Sequence, residues 1–216
     1  ALTYAQEKAT AFGKSVVVNM SLGSNAGPHD GTDAKSQAID TFTGSGRIVV
    51  VSAGNSGDDL IHTMGGVGAG NSVEITFTVP DYTPAGDVNN DDLSIDIWFD
   101  GNNDMTAQVI SPNGYSVSQT SGGWVENSTN DGTVKIENYV FLSNSDRYIR
   151  VNIWDDIAIL PPAEGIWKLK LTNNSGANVN YHGWLFDQSI GTAPSIISLS
   201  NSDSHYTLSN LSLIHI

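Results

Sequence analysis

The sequence of 216 residues lacks cysteine, is poor in basic residues and contains no long apolar run. The absence of cysteine excludes a disulfide framework and a thiol nucleophile, although it leaves the cellular compartment open. Only nine Lys and Arg accompany 23 Asp and Glu, and the formal charge of -14 argues against nucleic acid or an anionic membrane as a partner. No segment approaches the ~20 apolar residues that a transmembrane helix needs. We therefore expect neither nucleic acid nor a membrane as a partner.

Two apolar segments near the start of the chain have the pattern of buried strands. Residues 16–18 are three consecutive valines, and residues 47–51 read RIVVV. Such a β-branched run predicts a central strand that is covered on both faces. Between the two segments, Thr32 or Asp33 is a plausible N-cap for a helix, whose apolar positions recur at helical spacing: Ala34, Ala38, Ile39 and Phe42. The order strand, helix, strand predicts a parallel βαβ unit.

A loop of small residues follows each of these strands. In chain order the two loops contain Ser21, Leu22, Gly23, Ala53, Gly54 and Asn55. Parallel strands place both loops at the same edge of the sheet, where open α/β sheets bind their ligands. Taken alone, Asn55 is equally compatible with an ordinary turn, since Gly-Asn-Ser-Gly is a composition that loops favour.

The two motifs NMSLG and IVVVSAGNSG, separated by a helix, resemble the pattern of subtilisin-like serine peptidases, the subtilases. The resemblance implies a serine-type endopeptidase that hydrolyses peptide bonds in a peptide or protein substrate, without a cofactor. Asn55 would then be the catalytic side chain of the oxyanion hole. Ser21, Leu22 and Gly23 would bind the substrate on one side of the cleft, and Ala53 and Gly54 on the other.

The motifs that carry the subtilase triad do not occur in this sequence. In the family, the Asp and His precede the S-L-G strand and the Ser follows the A-G-N loop, whereas His29 comes after the S-L-G strand and is interpreted as a loop residue. We therefore expect a truncated fragment that is inactive alone, from a parent enzyme. The alternative is a pseudo-protease scaffold whose second half binds glycan or protein. Localisation is expected outside a bacterial cell or in its envelope.

Beyond residues 57–70, which are rich in Gly and polar residues, helical spacing gives way to alternation. Seven short runs separated by Asn, Asp, Gly and Pro predict strands of an antiparallel β-sandwich, namely residues 72–79, 93–99, 105–110, 134–141, 148–154, 167–171 and 179–186. All five tryptophans fall in this half of the chain, and core packing is favoured over exposed ligand platforms for them.

This half also resembles the jelly roll of convertase P domains, through SIDIWFDGNNDMTAQVISPNG, GIWKLKL and HGWLF. Because it follows the A-G-N loop directly, it resembles an insert in the catalytic domain, as in some bacterial subtilases of clostridial and Bacteroides type. The predicted fold class is therefore α/β, a partial parallel sheet, plus an all-β jelly-roll insert. The predicted domains are 1–66 (partial catalytic domain), 67–190 (insert) and 191–210 (return to the catalytic domain). Residues 211–216 are predicted to be a non-native tail, with a short apolar strand as the alternative.

Acidic runs in the second half raise the question of calcium. Residues 87–92 begin like an EF-hand loop, but Asp92 stands where that loop needs Gly and Trp98 where it needs Glu. An irregular Ca²⁺ site would use carboxylates gathered at one end of the sandwich: Asp87, Asp91, Asp100 and Asp104. Solvated hairpin turns are the favoured interpretation, so no metal ligand is assigned.

Overall fold

A computed structural model of the protein describes residues 1–56, 59–157, 160–191 and Leu199. The chain forms two compact units that divide after residue 57. In the described part, the first unit contains α1 (Leu2–Phe12), β1 (Val16–Met20), α2 (Ala34–Phe42) and β2 (Arg47–Val51). Neither of these described helices is long and apolar enough to cross a membrane.

The first unit contains the predicted βαβ arrangement. β1 pairs with β2 in parallel, from Val16 opposite Arg47 to Met20 opposite Val51. Asp33 is the N-cap of α2, and its carboxylate accepts hydrogen bonds from the backbone N–H groups of Lys35 and Ser36. Both helices pack on one face of the strand pair, where the buried apolar side chains are Ile39, Phe42, Val49 and Val51.

The opposite face of this strand pair corrects one prediction. Val17, Ile48 and Val50 are 64%, 39% and 40% exposed, so the strands are covered on one face only by the described residues. The alternation of a strand sends these side chains away from α1 and α2. A run of valines therefore predicted the strands correctly and their burial on both faces wrongly.

The second unit contains ten described strands, introduced here in chain order. They are β3 (His62–Val67), β4 (Ser72–Val79), β5 (Asp92–Phe99), β6 (Met105–Ile110), β7 (Ser116–Gln119), β8 (Gly123–Thr129), β9 (Gly132–Val140), β10 (Arg147–Trp154), β11 (Gly165–Asn173) and β12 (Val179–Ser189). Six of them form one antiparallel sheet in the order β3-β12-β5-β10-β9-β8, and four form another in the order β4-β11-β6-β7. Side chains from both sheets share one apolar core, so the sheets pack face to face as a sandwich.

The structure adds three strands to the seven that the sequence predicted: β3, β7 and β8. β3 contains Gly65 and Gly66 and lacks an apolar alternation, so its strand signal is weak. The predicted domain boundary after residue 66 lies within β3, which pairs with β12 in the second unit. Apart from Gly191 and Leu199, the predicted return segment 191–210 and tail 211–216 lie outside the described residues.

Candidate functional site: a cleft at the ends of two parallel strands

A cavity of about 360 Å³ lies in the first unit, beyond the carboxyl ends of β1 and β2. Its lining residues are Ser21, Leu22, Gly23, Ser24, Asn25, Ser52, Gly54, Asn55 and Ser56. The parallel pairing explains the location, because Met20 and Val51 end their strands side by side and both following loops begin at the same edge of the sheet.

Two hydrogen bonds join the loops that form this cleft. The backbone N–H of Ser52 donates to the carbonyl oxygen of Met20 at 3.2 Å, which extends the strand pairing by one residue. The Ser52 hydroxyl then donates to the carbonyl oxygen of Leu22 at 3.3 Å. The position of one wall is therefore tied to that of the other, as a site that holds an extended ligand requires.

The backbone of Gly54 positions Asn55 in the second loop. Gly54 has a φ angle of +89°, in the left-handed region that residues other than Gly adopt only under strain. Asn55 is the next residue in the chain, and it is exposed and lines the cavity. Within the part of the chain that the structure describes, no hydrogen bond engages its side-chain amide, so this amide can donate to a ligand in the cleft.

The structure brings five of the six residues predicted from the sequence to this one cavity: Ser21, Leu22, Gly23, Gly54 and Asn55. Ala53 is exposed and is not among the lining residues. Ser24, Asn25, Ser52 and Ser56 also line the cavity and were not predicted. The only sequence signal for them was that each adjoins a predicted motif and carries a short polar side chain.

The chemistry of the cleft follows from its side chains, which are mostly short and polar and are all uncharged. None of the nine lining residues is titratable, so this part of the site can donate and accept hydrogen bonds but cannot act as a general acid or base. Small residues allow a ligand backbone to approach closely. The arrangement suits the binding of an extended neutral chain and the stabilisation of a charge that develops on it.

The four carboxylates considered for calcium do not gather. Asp91 precedes β5 and Asp100 follows it, so these two lie about 30 Å apart at opposite ends of an extended strand. The buried carboxylate of Asp91 instead accepts the backbone N–H groups of Ala85, at 3.0 Å, and Gly191, at 2.6 Å. Among the residues that the structure describes, no group of three acidic, His or Cys side chains is arranged to hold a metal ion.

The tryptophans of the sandwich fall into two groups. Trp98, Trp167 and Trp184 are buried, as core packing predicts. Trp124 on β8 is 58% exposed, and Trp154 on β10 is partly exposed and lines a second cavity. The sequence did not distinguish these two from the buried three, because all five lie in the half of the chain where apolar and polar residues alternate.

Comparison with known proteins identifies the family of this chain. The profile of the subtilase family matches residues 4–137, more than half of the chain. The chain belongs to the subtilase family. Among solved structures, the CspB protease of Clostridium perfringens is similar, with a TM-score of 0.71 and 20% sequence identity over 90% of this chain. At that identity the similarity shows a shared fold, and the chain spans 41% of the length of that protein.

Proposed function

We propose that the chain is part of a serine-type endopeptidase and that it contributes the oxyanion-hole side chain Asn55 and part of the substrate cleft. The observation that carries this proposal is that Asn55 and the S-L-G strand end line one cavity at the ends of β1 and β2. Membership of the subtilase family supports it. The Asp, His and Ser of the triad would come from other parts of the full-length protein.

In the proposed reaction, a Ser attacks the scissile carbonyl, a His carries the proton from the hydroxyl to the leaving amine, and an Asp orients the His. The carbonyl oxygen becomes negatively charged as the carbon turns tetrahedral. The Asn55 amide donates a hydrogen bond to that oxygen, so it stabilises the transition state more than the bound substrate. None of the nine lining residues carries a carboxylate that could accept from this amide in place of the substrate oxygen.

The two loops hold the substrate beside Asn55. An extended peptide would lie along residues 21–23 and pair its backbone with theirs, as an added strand pairs with a sheet edge. Gly54 would form part of the opposite wall of the specificity pocket, together with the backbone of Ala53. Since backbone groups make most of these contacts, substitutions of Ser21 are expected to affect binding less than substitutions that distort the loop.

We propose that the sandwich is a jelly-roll domain inserted within the catalytic domain of this peptidase. Support comes from its first and last strands, β3 and β12, which are hydrogen-bonded neighbours. The N–H of Leu185 donates to the carbonyl oxygen of Ile61 at 2.9 Å, so the chain enters β3 beside a residue in the second half of β12. A domain with adjacent ends can be inserted in a surface loop without distortion of its host.

The test is Asn55→Ala in the full-length protein, compared with the wild type on a panel of fluorogenic peptides. We expect kcat to fall by about 10²-fold or more with little change in KM, because the lost hydrogen bond acts in the transition state. This magnitude is taken from the effect of removing the corresponding Asn from a subtilisin. Asn178→Ala, in an exposed loop of the sandwich, is the matched control and should retain full turnover.

Two results would reject the oxyanion role. One is unchanged turnover of a correctly folded Asn55→Ala protein. The other is a wild-type protein without turnover on any peptide, which would favour a pseudo-protease whose sandwich is the binding part. Thermal unfolding of each variant, measured in parallel, separates loss of catalysis from loss of fold.

A further inference from the structure

A second cavity, also of about 360 Å³, lies on the face of the six-stranded sheet that points away from the sandwich core. Residues from five strands and one preceding loop line it: Asn89, Asp92, Ser94, Glu126, Lys135, Asn152, Trp154 and Asp187. Leu93, Ile95 and Ile153 alternate with these residues and point into the core. The cavity is therefore built on rigid strands. The function proposed for the cleft of the first unit does not explain why this cavity is present.

The strand register sets the side chains of this cavity in a fixed array. On β5 and β10, Asp92 lies opposite Trp154 and Ser94 lies opposite Asn152. On β8 and β9, Glu126 lies opposite Lys135 in the same way. Neighbouring side chains on one face of a sheet stand about 5 Å apart, so a carboxylate, an amide and an indole surround one small volume.

Polar atoms in this array have hydrogen-bonding capacity that the described residues do not use. The Ser94 hydroxyl donates to the side-chain oxygen of Asn152 at 2.8 Å, which turns the amide nitrogen of Asn152 towards other acceptors. The Asp92 carboxyl group is partly exposed at the cavity and interacts with the carboxyl group of Asp187, while its buried Oδ1 atom makes no hydrogen bond within the described residues. Burial, and then the nearby carboxyl of Asp187, raises the pKa of Asp92 to about 6. The cavity thus offers an acceptor and a donor side by side.

Aromatic rings supply the apolar part of the cavity. Trp154 lines it directly. Trp124 lies two residues before Glu126, on the same face of β8, and the Nζ atom of Lys135 is 5.4 Å from the centre of its ring. A flat ring beside paired donors and acceptors matches a ligand that has both an apolar C–H face and hydroxyl groups.

The charges of the cavity narrow the ligand class. Asp92, Asp187 and Glu126 outnumber Lys135, whose ammonium group is 2.7 Å from Glu137. This excess of negative charge repels phosphate, sulfate and uronic acid groups. In the described residues no set of three side chains is arranged for a metal ion. A neutral polyhydroxylated ring fits the remaining requirements.

We propose that this cavity binds a neutral glycan: Asp92 and Asn152 bind neighbouring hydroxyl groups of one pyranose ring, and the indole of Trp154 packs against its C–H face. The hydroxyls donate to the Asp92 carboxylate and accept from the Asn152 amide. Trp124 extends the surface to the next sugar of a chain. The site shares no residue with the peptidase cleft, so glycan binding and peptide hydrolysis can be tested independently of one another.

The test measures binding of neutral hexasaccharides of glucose (α-1,4 and β-1,4 linked), xylose and N-acetylglucosamine to the whole 216-residue chain by isothermal titration and tryptophan fluorescence. We expect at least one to bind with a Kd of about 1 mM or tighter. Asp92→Ala and Asn152→Ala should each weaken binding at least tenfold. Trp154→Phe should keep measurable binding and reduce the fluorescence change, the rest of which would come from Trp124.

Asp81→Ala, which removes an exposed carboxylate outside the cavity, is the matched control and should bind as the wild type does. Circular dichroism and thermal unfolding establish that each variant is folded. Three results would each overturn the proposal: no hexasaccharide binds at 10 mM, on the order of ten times the expected Kd; binding survives both Asp92→Ala and Asn152→Ala; or inorganic phosphate competes with the sugar for the same site.

Discussion

Asp92 illustrates how one residue links the stability of the sandwich to pH. Its carboxyl group is partly buried beside Asp187, and these surroundings raise its pKa from 3.8 to about 6. The folded protein therefore keeps this proton at pH values where the unfolded chain has released it. By linkage, the free energy of unfolding decreases as pH rises from about 4 to about 6, and this contribution is constant above that range.

We predict that Asp92→Asn removes this pH dependence. The variant should gain roughly 1 kcal/mol relative to the wild type between pH 4 and pH 7, a value reduced from the full pKa shift because the group is partly solvated. Urea unfolding at pH 4, 5, 6 and 7 measures the difference. Asp187→Asn, which removes the neighbouring charge and leaves the burial of Asp92 in place, should have a smaller effect in the same direction. A difference between Asp92→Asn and wild type that does not vary with pH would contradict this account.

At the scale of the element, β11 carries a tryptophan that is fully buried in the core of the sandwich. Trp167 has no exposed surface, and its ring stacks on Phe77 of β4 with the ring centres 6.2 Å apart. Its indole N–H donates to the carbonyl oxygen of Ala163 at 2.8 Å. Packing and hydrogen bonding thus fix this strand against both its sheet and the preceding loop.

We predict that Trp167→Ala destabilises the sandwich by about 3–5 kcal/mol, because it leaves a large cavity and an unpaired carbonyl group. Ile166→Ala is the matched control on the same strand: Ile166 is 59% exposed, and its loss should cost less than about 1 kcal/mol. Guanidinium unfolding followed by tryptophan fluorescence compares the two. Equal effects of both substitutions would show that the strand is not anchored through Trp167.

How far the sequence predicted each element depended on how completely packing determined its residues. β5 and β11 alternate polar and apolar side chains, and both were predicted because the core dictates every second residue. β8 is largely exposed and exists through its pairing with β9, so its polar sequence carried no strand signal. Tertiary pairing, which a single segment does not encode, created it.

The two cavities differ in how far apart their lining residues lie in the sequence. The cleft of the first unit lies in two short contiguous motifs, so five lining residues were predictable from those motifs alone. The second cavity draws Asp92, Lys135 and Asn152 from three strands distant in sequence, and only the register brings them together. In the chain order Asp92 belongs to a failed EF-hand loop, since the residues beside it in the fold lie far from it in sequence.

At the scale of the whole molecule, the two units differ in how much core each contains. The second unit packs ten described strands around a core drawn from both sheets. The first unit buries four apolar side chains under a two-stranded sheet whose other face is exposed in the part of the chain that the structure describes. Isolated two-stranded sheets are marginally stable, whereas larger sandwiches bury enough surface to fold alone.

We predict that residues 58–206, expressed alone, fold into a cooperative unit, and that residues 1–57 alone do not. Thermal unfolding followed by near-ultraviolet circular dichroism should give a sigmoidal transition for the larger fragment and none for the smaller. Trp167→Ala in the larger fragment serves as a control that must lower its midpoint. A cooperative transition of the isolated 1–57 segment would show that its small core suffices.

The pairing of β3 with β12 has a consequence for synthesis on the ribosome. His62 and His182, whose rings lie side by side, are 120 residues apart in the chain. At 5–20 residues per second, β3 emerges roughly 6–24 s before its partner strand exists. Gly65 and Gly66 disfavour pairing of this still unpaired segment with strands of other chains, because Gly has low strand propensity. In the folded sheet, Gly65 leaves room for the ring of Tyr181, so the residue that lowers the strand propensity of the unpaired segment is also required by the packing of the finished sheet.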